Sequence, residues 1–208
     1  MYGLPPSTEV KKQLPKKAIY AKFDLKPAQR ESFDADVSTL YIIGIVSPHT
    51  VPAIAEGAEV KEIYVLAVQM KRKEYDPKNI VLLTKLIPQR MVFVLQYEDE
   101  VQFAIYHTKL ICSKWMSRDA DSFPIGEVWR GLLNLDTVWE NIVTHIGEIE
   151  VAEGNTLAEQ IKVEDVRAKL KTQIASLTQK LNKEKQFNRQ MEINAEIKSL
   201  KKQLSNLK

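Results

Sequence analysis

Thr39-Leu40-Tyr41-Ile42-Ile43-Gly44-Ile45-Val46 decides the fold class. It is rich in β-branched residues and apolar on both faces, the pattern of a strand covered on both sides rather than one facing water. Residues 60–70 repeat the pattern as a second, longer strand, and Ser47-Pro48-His49-Thr50-Val51-Pro52 breaks the chain between them. Strands buried on both faces need helices to cover them. Pro27 sits at a first helical position for a helix over 27–37. Asp76-Pro77 joins a capping acceptor to a residue with no N–H to satisfy, and opens an apolar helix through Ile80, Leu83 and Ile87 that Pro88 stops.

The rest of the body is read the same way. Residues 91–97 and 101–108 form a hairpin around the acidic tip Glu98-Asp99-Glu100, with Phe93, Leu95, Tyr97, Val101, Phe103 and Ile105 filling one face. Thr137 and Glu140 fit a capping box for a helix whose Val138, Trp139, Ile142, Val143 and Ile146 recur at helical spacing. Ser7-Thr8-Glu9 opens a short helix closed by Pro15, and 17–23 alternates as a strand with Ala18, Tyr20 and Lys22 on one face. Residues 109–130 are irregular, and Trp115, Trp129 and Trp139 are read as core or interface anchors. The expected fold is α+β or α/β: a mixed central sheet of about five strands covered by helices, followed by a long C-terminal coiled-coil helix. The expected domains are 1–154 and 155–208, because no Gly or Pro occurs after Gly154 and the residues there are mostly strong helix formers.

That last segment is expected to be helical throughout, about 75 Å long at 1.5 Å per residue. Leu170, Ile174, Leu177 and Leu181 make one apolar seam, and Ile193, Ile197, Leu200, Leu204 and Leu207 make another. They do not share a heptad frame, so 182–194 carries a phase break in which Asn188 is a candidate for fixing register or oligomeric state. A continuous helix and a hairpin turning near Asn182 or Asn188 both satisfy the pattern, and the absence of Gly and Pro favours the continuous helix. Either way the seams predict self-association, as a dimer, or docking to a helical protein.

Composition excludes several classes. The 208 residues are 44% hydrophobic and 27% charged, an ordinary globular balance. One cysteine, Cys112, excludes a disulfide framework and a multi-thiolate zinc site. No apolar run reaches the roughly 18 residues of a membrane helix, and no secretory signal opens the chain. A soluble cytoplasmic protein with no membrane partner is the expectation. Net charge is only +3, but 157–208 hold 12 basic and 6 acidic residues, +6, against 18 and 21, −3, elsewhere. A basic arm of this kind suits either a solvated coiled-coil surface or phosphate contact through Arg189, Lys198, Lys201 and Lys202.

Catalytic patterns are sparse. His49, His107 and His145 are the only histidines: His49 is expected in an exposed loop, His145 as a partly buried packing residue. Cys112 beside Leu110 and Ile111 is expected to be an inert buried thiol. No triad, phosphate-binding glycine loop or metal-ligand spacing occurs, and no cofactor is expected. Gln69-Met70-Lys71 ends a buried strand before a helix, as in restriction-type nucleases that use a Gln-x-Lys or Glu-x-Lys strand with a metal-holding carboxylate. The strand at 39–46 lacks that carboxylate. Glu62 lies on the opposite face of its strand, and Asp36 precedes the first buried strand.

Leu14-Pro15-Lys16, 40–51 with its Ser47-Pro48-x-Thr50, Val60-Lys61-Glu62-Ile63, Ile87-Pro88, and Glu184-Lys185-Gln186-Phe187-Asn188-Arg189 with Asn194 together resemble the bacterial and archaeal family labelled domain of unknown function 4391. The resemblance covers nearly the whole chain. It implies no established activity and no catalytic residues. It implies an accessory role in DNA-processing or defence systems, near helicases and DNA methyltransferases. The leading expectation is a non-catalytic interaction protein that self-associates through its C-terminal helix. The alternatives are a divergent metal-dependent nuclease using Lys71 and Gln69 with Glu62 or Asp36, and a nucleic-acid binder using the basic C-terminal helix.

Overall fold

In a computed structural model the chain forms two compact units, Met1–Ile149 and Glu150–Lys208. The structure describes residues 2–118, 134–152 and 154–207; Trp129 lies outside them.

The first unit is built on a mixed sheet in the order β1 (Glu9–Gln13), β2 (Val37–Val46), β3 (Ile63–Met70), β4 (Arg90–Tyr97), β5 (Glu100–Tyr106), β6 (Leu110–Cys112), with β7 (Met116–Ser117) also on β5. The seven strands exceed the expected five because β1, β6 and β7 are short edge pieces with little hydrophobic pattern of their own. Every neighbouring pair is antiparallel except β3 and β4, which run parallel across the connecting helix α3 (Pro77–Leu83). The two apolar runs lie in the middle of the sheet; β3 is buried along nearly its whole length, whereas β2 leaves Tyr41 exposed and Thr39, Ile43 and Ile45 half-buried, so the expected covering of both faces holds for β3 and only in part for β2.

One face of the sheet packs against α1 (Lys16–Phe23), α2 (Pro27–Asp36) and α3. Ile19, Phe33, Ile80 and Leu83 from these helices meet Leu40, Leu66, Val68, Phe93 and Leu95 in one buried cluster. The alternate residues Val65, Val92, Val94, Phe103 and Ile105 are buried on the opposite side. There α4 (Leu135–Gly147) packs over β5 and β6. Its stripe Val138, Trp139, Ile142, Val143 and Ile146 is buried as the spacing requires.

Four local readings are corrected. Residues 17–23 are helix, not strand: Ala and Lys propensity outweighs a short alternation, Ile19 and Tyr20 turn inward at helical spacing, and Asp24 ends the helix at φ 45°. The helix expected from Ser7 is a single 3-10 turn, Pro6–Thr8, and β1 follows it. The cap of α4 is Asn134, whose side chain accepts from the Thr137 N–H, so Thr137 sits inside the helix instead of starting it. The hairpin turns on Glu98 and Asp99, which pairs Phe93 with Ala104 and Val94 with Phe103. The rows Phe93–Leu95 and Phe103–Ile105 therefore fill opposite faces, since a one-residue change in register inverts a strand.

The second unit is a helical hairpin, α5 (Leu157–Lys183) and α6 (Phe187–Asn206), not one continuous helix. The two helices pack together, and Arg167 Nη2 donates to the Leu207 carbonyl at 3.1 Å, which makes the pair antiparallel. The turn forms without Gly or Pro because Glu184 does their work with its side chain. Its backbone is extended at φ −75°, ψ 134°; its Oε1 accepts from the N–H groups of Lys185 (2.8 Å) and Gln186 (3.0 Å). Gln190 Nε2 donates back to the Glu184 carbonyl at 2.8 Å. The orphaned groups of a helix junction are thus satisfied locally. No helix among the described residues is long and apolar enough to cross a membrane.

Candidate functional site

The polar residues singled out by sequence fall at both ends of β3. At its carboxyl end, α2 delivers Asp36 directly into β2, and the Lys71 N–H donates to the Asp36 carbonyl at 2.8 Å. Asp36 is closed off from solvent. Its Oδ1 accepts from Arg72 Nε at 2.6 Å, and its Oδ2 accepts from the Asp76 N–H at 2.8 Å and Asn79 Nδ2 at 2.7 Å. A buried carboxylate persists only with such partners. Here they lock the end of α2 to the start of α3 across the strand ends.

The other candidates point elsewhere. Lys71 Nζ donates to the Asp34 carbonyl at 2.7 Å. Gln69 Nε2 donates to the Gln96 carbonyl at 3.2 Å on the neighbouring strand. Asp34 Oδ1 is held by Lys16 Nζ at 2.7 Å and by the Tyr20 hydroxyl at 2.5 Å, and these bonds, Lys16 first, lower its pKa from the usual carboxylate value. Glu62 accepts from the Tyr64 hydroxyl at 3.0 Å at the opposite end of β3. Seven residues of strand at about 3.3 Å each put it roughly 23 Å from Gln69. Asp36 thus lies beside the Gln-Met-Lys strand end, closer than its sequence position suggested, but its oxygens are spent on Arg72, Asp76 and Asn79. The four residues do not converge on one site. Among the described residues, no group of three or more His, Cys, Asp or Glu is placed to hold a metal ion.

Two environment readings are also corrected. Cys112 is exposed on the edge strand β6, with its Sγ 3.7 Å from the Tyr75 hydroxyl. His145 is exposed too, because α4 turns its apolar stripe and not this position to the sheet. His49 is exposed as its loop position suggested. His107, which sequence did not single out, accepts from Trp139 Nε1 at 3.2 Å through Nδ1, and the Arg90 guanidinium stands 5.5 Å from the Trp139 ring. Burial, and then the Arg90 charge, lower the His107 pKa from its usual value.

In the hairpin the two seams face each other, but unequally. Leu170 and Ile197 are buried, whereas Ile174, Leu177, Leu181, Ile193, Leu200, Leu204 and Leu207 remain partly exposed. Asn188 is exposed, which removes it from the seam: it is the second residue of α6, and the turn absorbs the phase break. Arg189, Lys198, Lys201 and Lys202 all stand in solvent. Sequence reading passed over Phe187 and Met191, which are 71% and 58% exposed. Their signal was their position outside both seams.

No curated protein and no solved structure was found to match the chain. The family model described as Domain of unknown function (DUF4391) matches residues 2–204, nearly the whole chain, and the protein belongs to that family.

Proposed function

We propose that the protein is a non-catalytic interaction module that self-associates through its C-terminal hairpin, two hairpins closing into a four-helix bundle. One observation carries this reading. Of the nine apolar seam residues, eight in α5 and α6 and Leu207 just past α6, only Leu170 and Ile197 are buried, and the other seven keep an open side. Two helices bury one side of an apolar stripe, and a bundle of four encloses it. Arg167 and Leu207 hold the two helices in register, so the open side is a preformed surface and not a frayed one. The body supports a non-catalytic role from the other direction: the polar groups at its strand ends spend their hydrogen bonds on one another.

Light scattering on the full chain at tens of micromolar should give the mass of a dimer, and Leu177→Lys with Leu200→Lys should return it to a monomer with the body's tryptophan fluorescence unchanged. A wild-type chain that stays monomeric across that range removes the proposal.

A further inference from the structure

The hairpin carries a second stripe that self-association leaves open. At about 100° per residue, Phe187, Met191, Asn194, Lys198, Lys201 and Lys202 fall within an arc of about 100° on α6. The seam from Ile193 to Leu207 is centred about 130° away on the same helix. All six residues are exposed, and Phe187 is the most exposed large apolar side chain among the described residues. The carboxylates of α6, Glu192 and Glu196, lie outside this arc, on the far side of the helix. The stripe therefore runs from an unpartnered aromatic ring and a thioether, through an amide, to three ammonium groups, over roughly 22 Å.

We infer that this face binds single-stranded nucleic acid. The charge fits a polyanion: three lysines with no acidic neighbour on the face release counterions when phosphates replace them. The aromatic end fits an unpaired base, because a phenyl ring standing in solvent offers a stacking platform that a duplex cannot use. Asn194, between the two, supplies an amide that can both donate to and accept from a base edge. An anionic membrane is the poorer fit, because two apolar side chains are too little surface for stable anchoring.

The test is fluorescence anisotropy of the full chain with a labelled oligothymidine of about twenty nucleotides. Phe187→Ala should weaken binding about tenfold. Replacing Lys198, Lys201 and Lys202 by Gln should reduce the slope of log K against log salt by about 2. The same charge change at Lys169, Lys171 and Lys180 on α5 should reduce it less. All of these positions are exposed, so the variants fold, and light scattering should show the oligomeric state of each unchanged. Three results would overturn the inference. One is equal loss from both lysine sets, which means diffuse adsorption. Another is equal affinity for a duplex of the same length with no effect of Phe187→Ala. The third is binding to phosphatidylserine vesicles but not to the oligonucleotide. None of these bears on whether the seams dimerise.

Discussion

The body and the hairpin solve the same problem by different means. In the body, β3 presents Val65, Leu66 and Val68 fully buried, and the one carboxylate shut in beside it, Asp36, has a partner on each oxygen. In the hairpin, the longest helix of the chain buries only Leu157, Gln160, Ile161 and Leu170, and most of its apolar seam stays partly wet. The central strands of the body are packed within the chain, whereas the hairpin has only fixed its own geometry. Unfinished packing at a rigid surface points to an interface, whereas saturated polar groups at a strand end point to structure.

The largest effect should come from taking the same side chain from each region. Leu66→Ala removes a fully buried residue between two covered faces and should cost about 3–4 kcal/mol by urea unfolding. Leu177→Ala removes a half-exposed one and should cost about 1 kcal/mol at low protein concentration. The second number sharpens the contrast, because a seam completed by another copy makes the cost of Leu177→Ala rise with concentration, while that of Leu66→Ala does not. Equal costs at every concentration would break the distinction. Tryptophan fluorescence follows the body alone, since all three tryptophans precede residue 150, and far-UV dichroism weights the hairpin.

Most of the body was legible because burial writes itself into sequence twice, as apolar runs at β2 and β3 and as caps such as Asp76-Pro77. Where neither signal was strong, local pattern misled: 17–23 alternated by chance, and β1, β6 and β7 owe their state to the strands beside them. The hairpin turn was hidden for a different reason. Gly and Pro break helices through the backbone, and their absence argued for continuity, but Glu184 breaks this one through side-chain hydrogen bonds that no propensity scale weighs. The strand-end site was half legible. Gln69 and Lys71 stood out by spacing, but the residues that decide the chemistry there, Arg72 and Asn79, only become visible once α3 folds back to Asp36.

A smaller effect tests whether the body's loops are finished as thoroughly as its core. Asp136, in the first turn of α4, accepts the N–H groups of Ala58 (2.5 Å), Glu59 (3.2 Å) and Val60 (2.8 Å), tying down the connection between β2 and β3. Although partial burial opposes its ionisation, the N–H groups of Val60, Ala58 and Glu59 hold its carboxyl below the ordinary range. Gly57 is required beside it, because a Cβ there would lie 2.2 Å from Asp136 Oδ1 and 2.7 Å from its backbone nitrogen. Asp136→Ala should cost about 2 kcal/mol in fluorescence-detected unfolding. Gly57→Ala should cost a comparable amount through the clash, and the double variant should cost less than the sum because both act on one contact. Full additivity would mean that the loop is anchored elsewhere.

The smallest effect separates the two regions by pH. His107 takes up a proton less readily in the folded body than in the unfolded chain, through burial and the Arg90 charge, so the unfolded state binds more protons as pH falls past the usual value of 6.5. Its contribution is therefore whole above that value and is lost below it. Glu184 in the hairpin is lowered too, but from a lower starting value: the N–H groups of Gln186 and Lys185 keep its carboxylate ionised, so the turn holds until pH falls through the carboxylate range below 4.5. Acid should then weaken the fluorescence-detected body first, between about pH 7 and 5, while the dichroism of the hairpin holds until lower pH. His107→Asn keeps an acceptor for Trp139 Nε1 but cannot titrate, so it should flatten the first step and leave the second untouched. If the first step survives in that variant, the early acid response arises outside the His107 contact, and the ordering of the two regions has another cause.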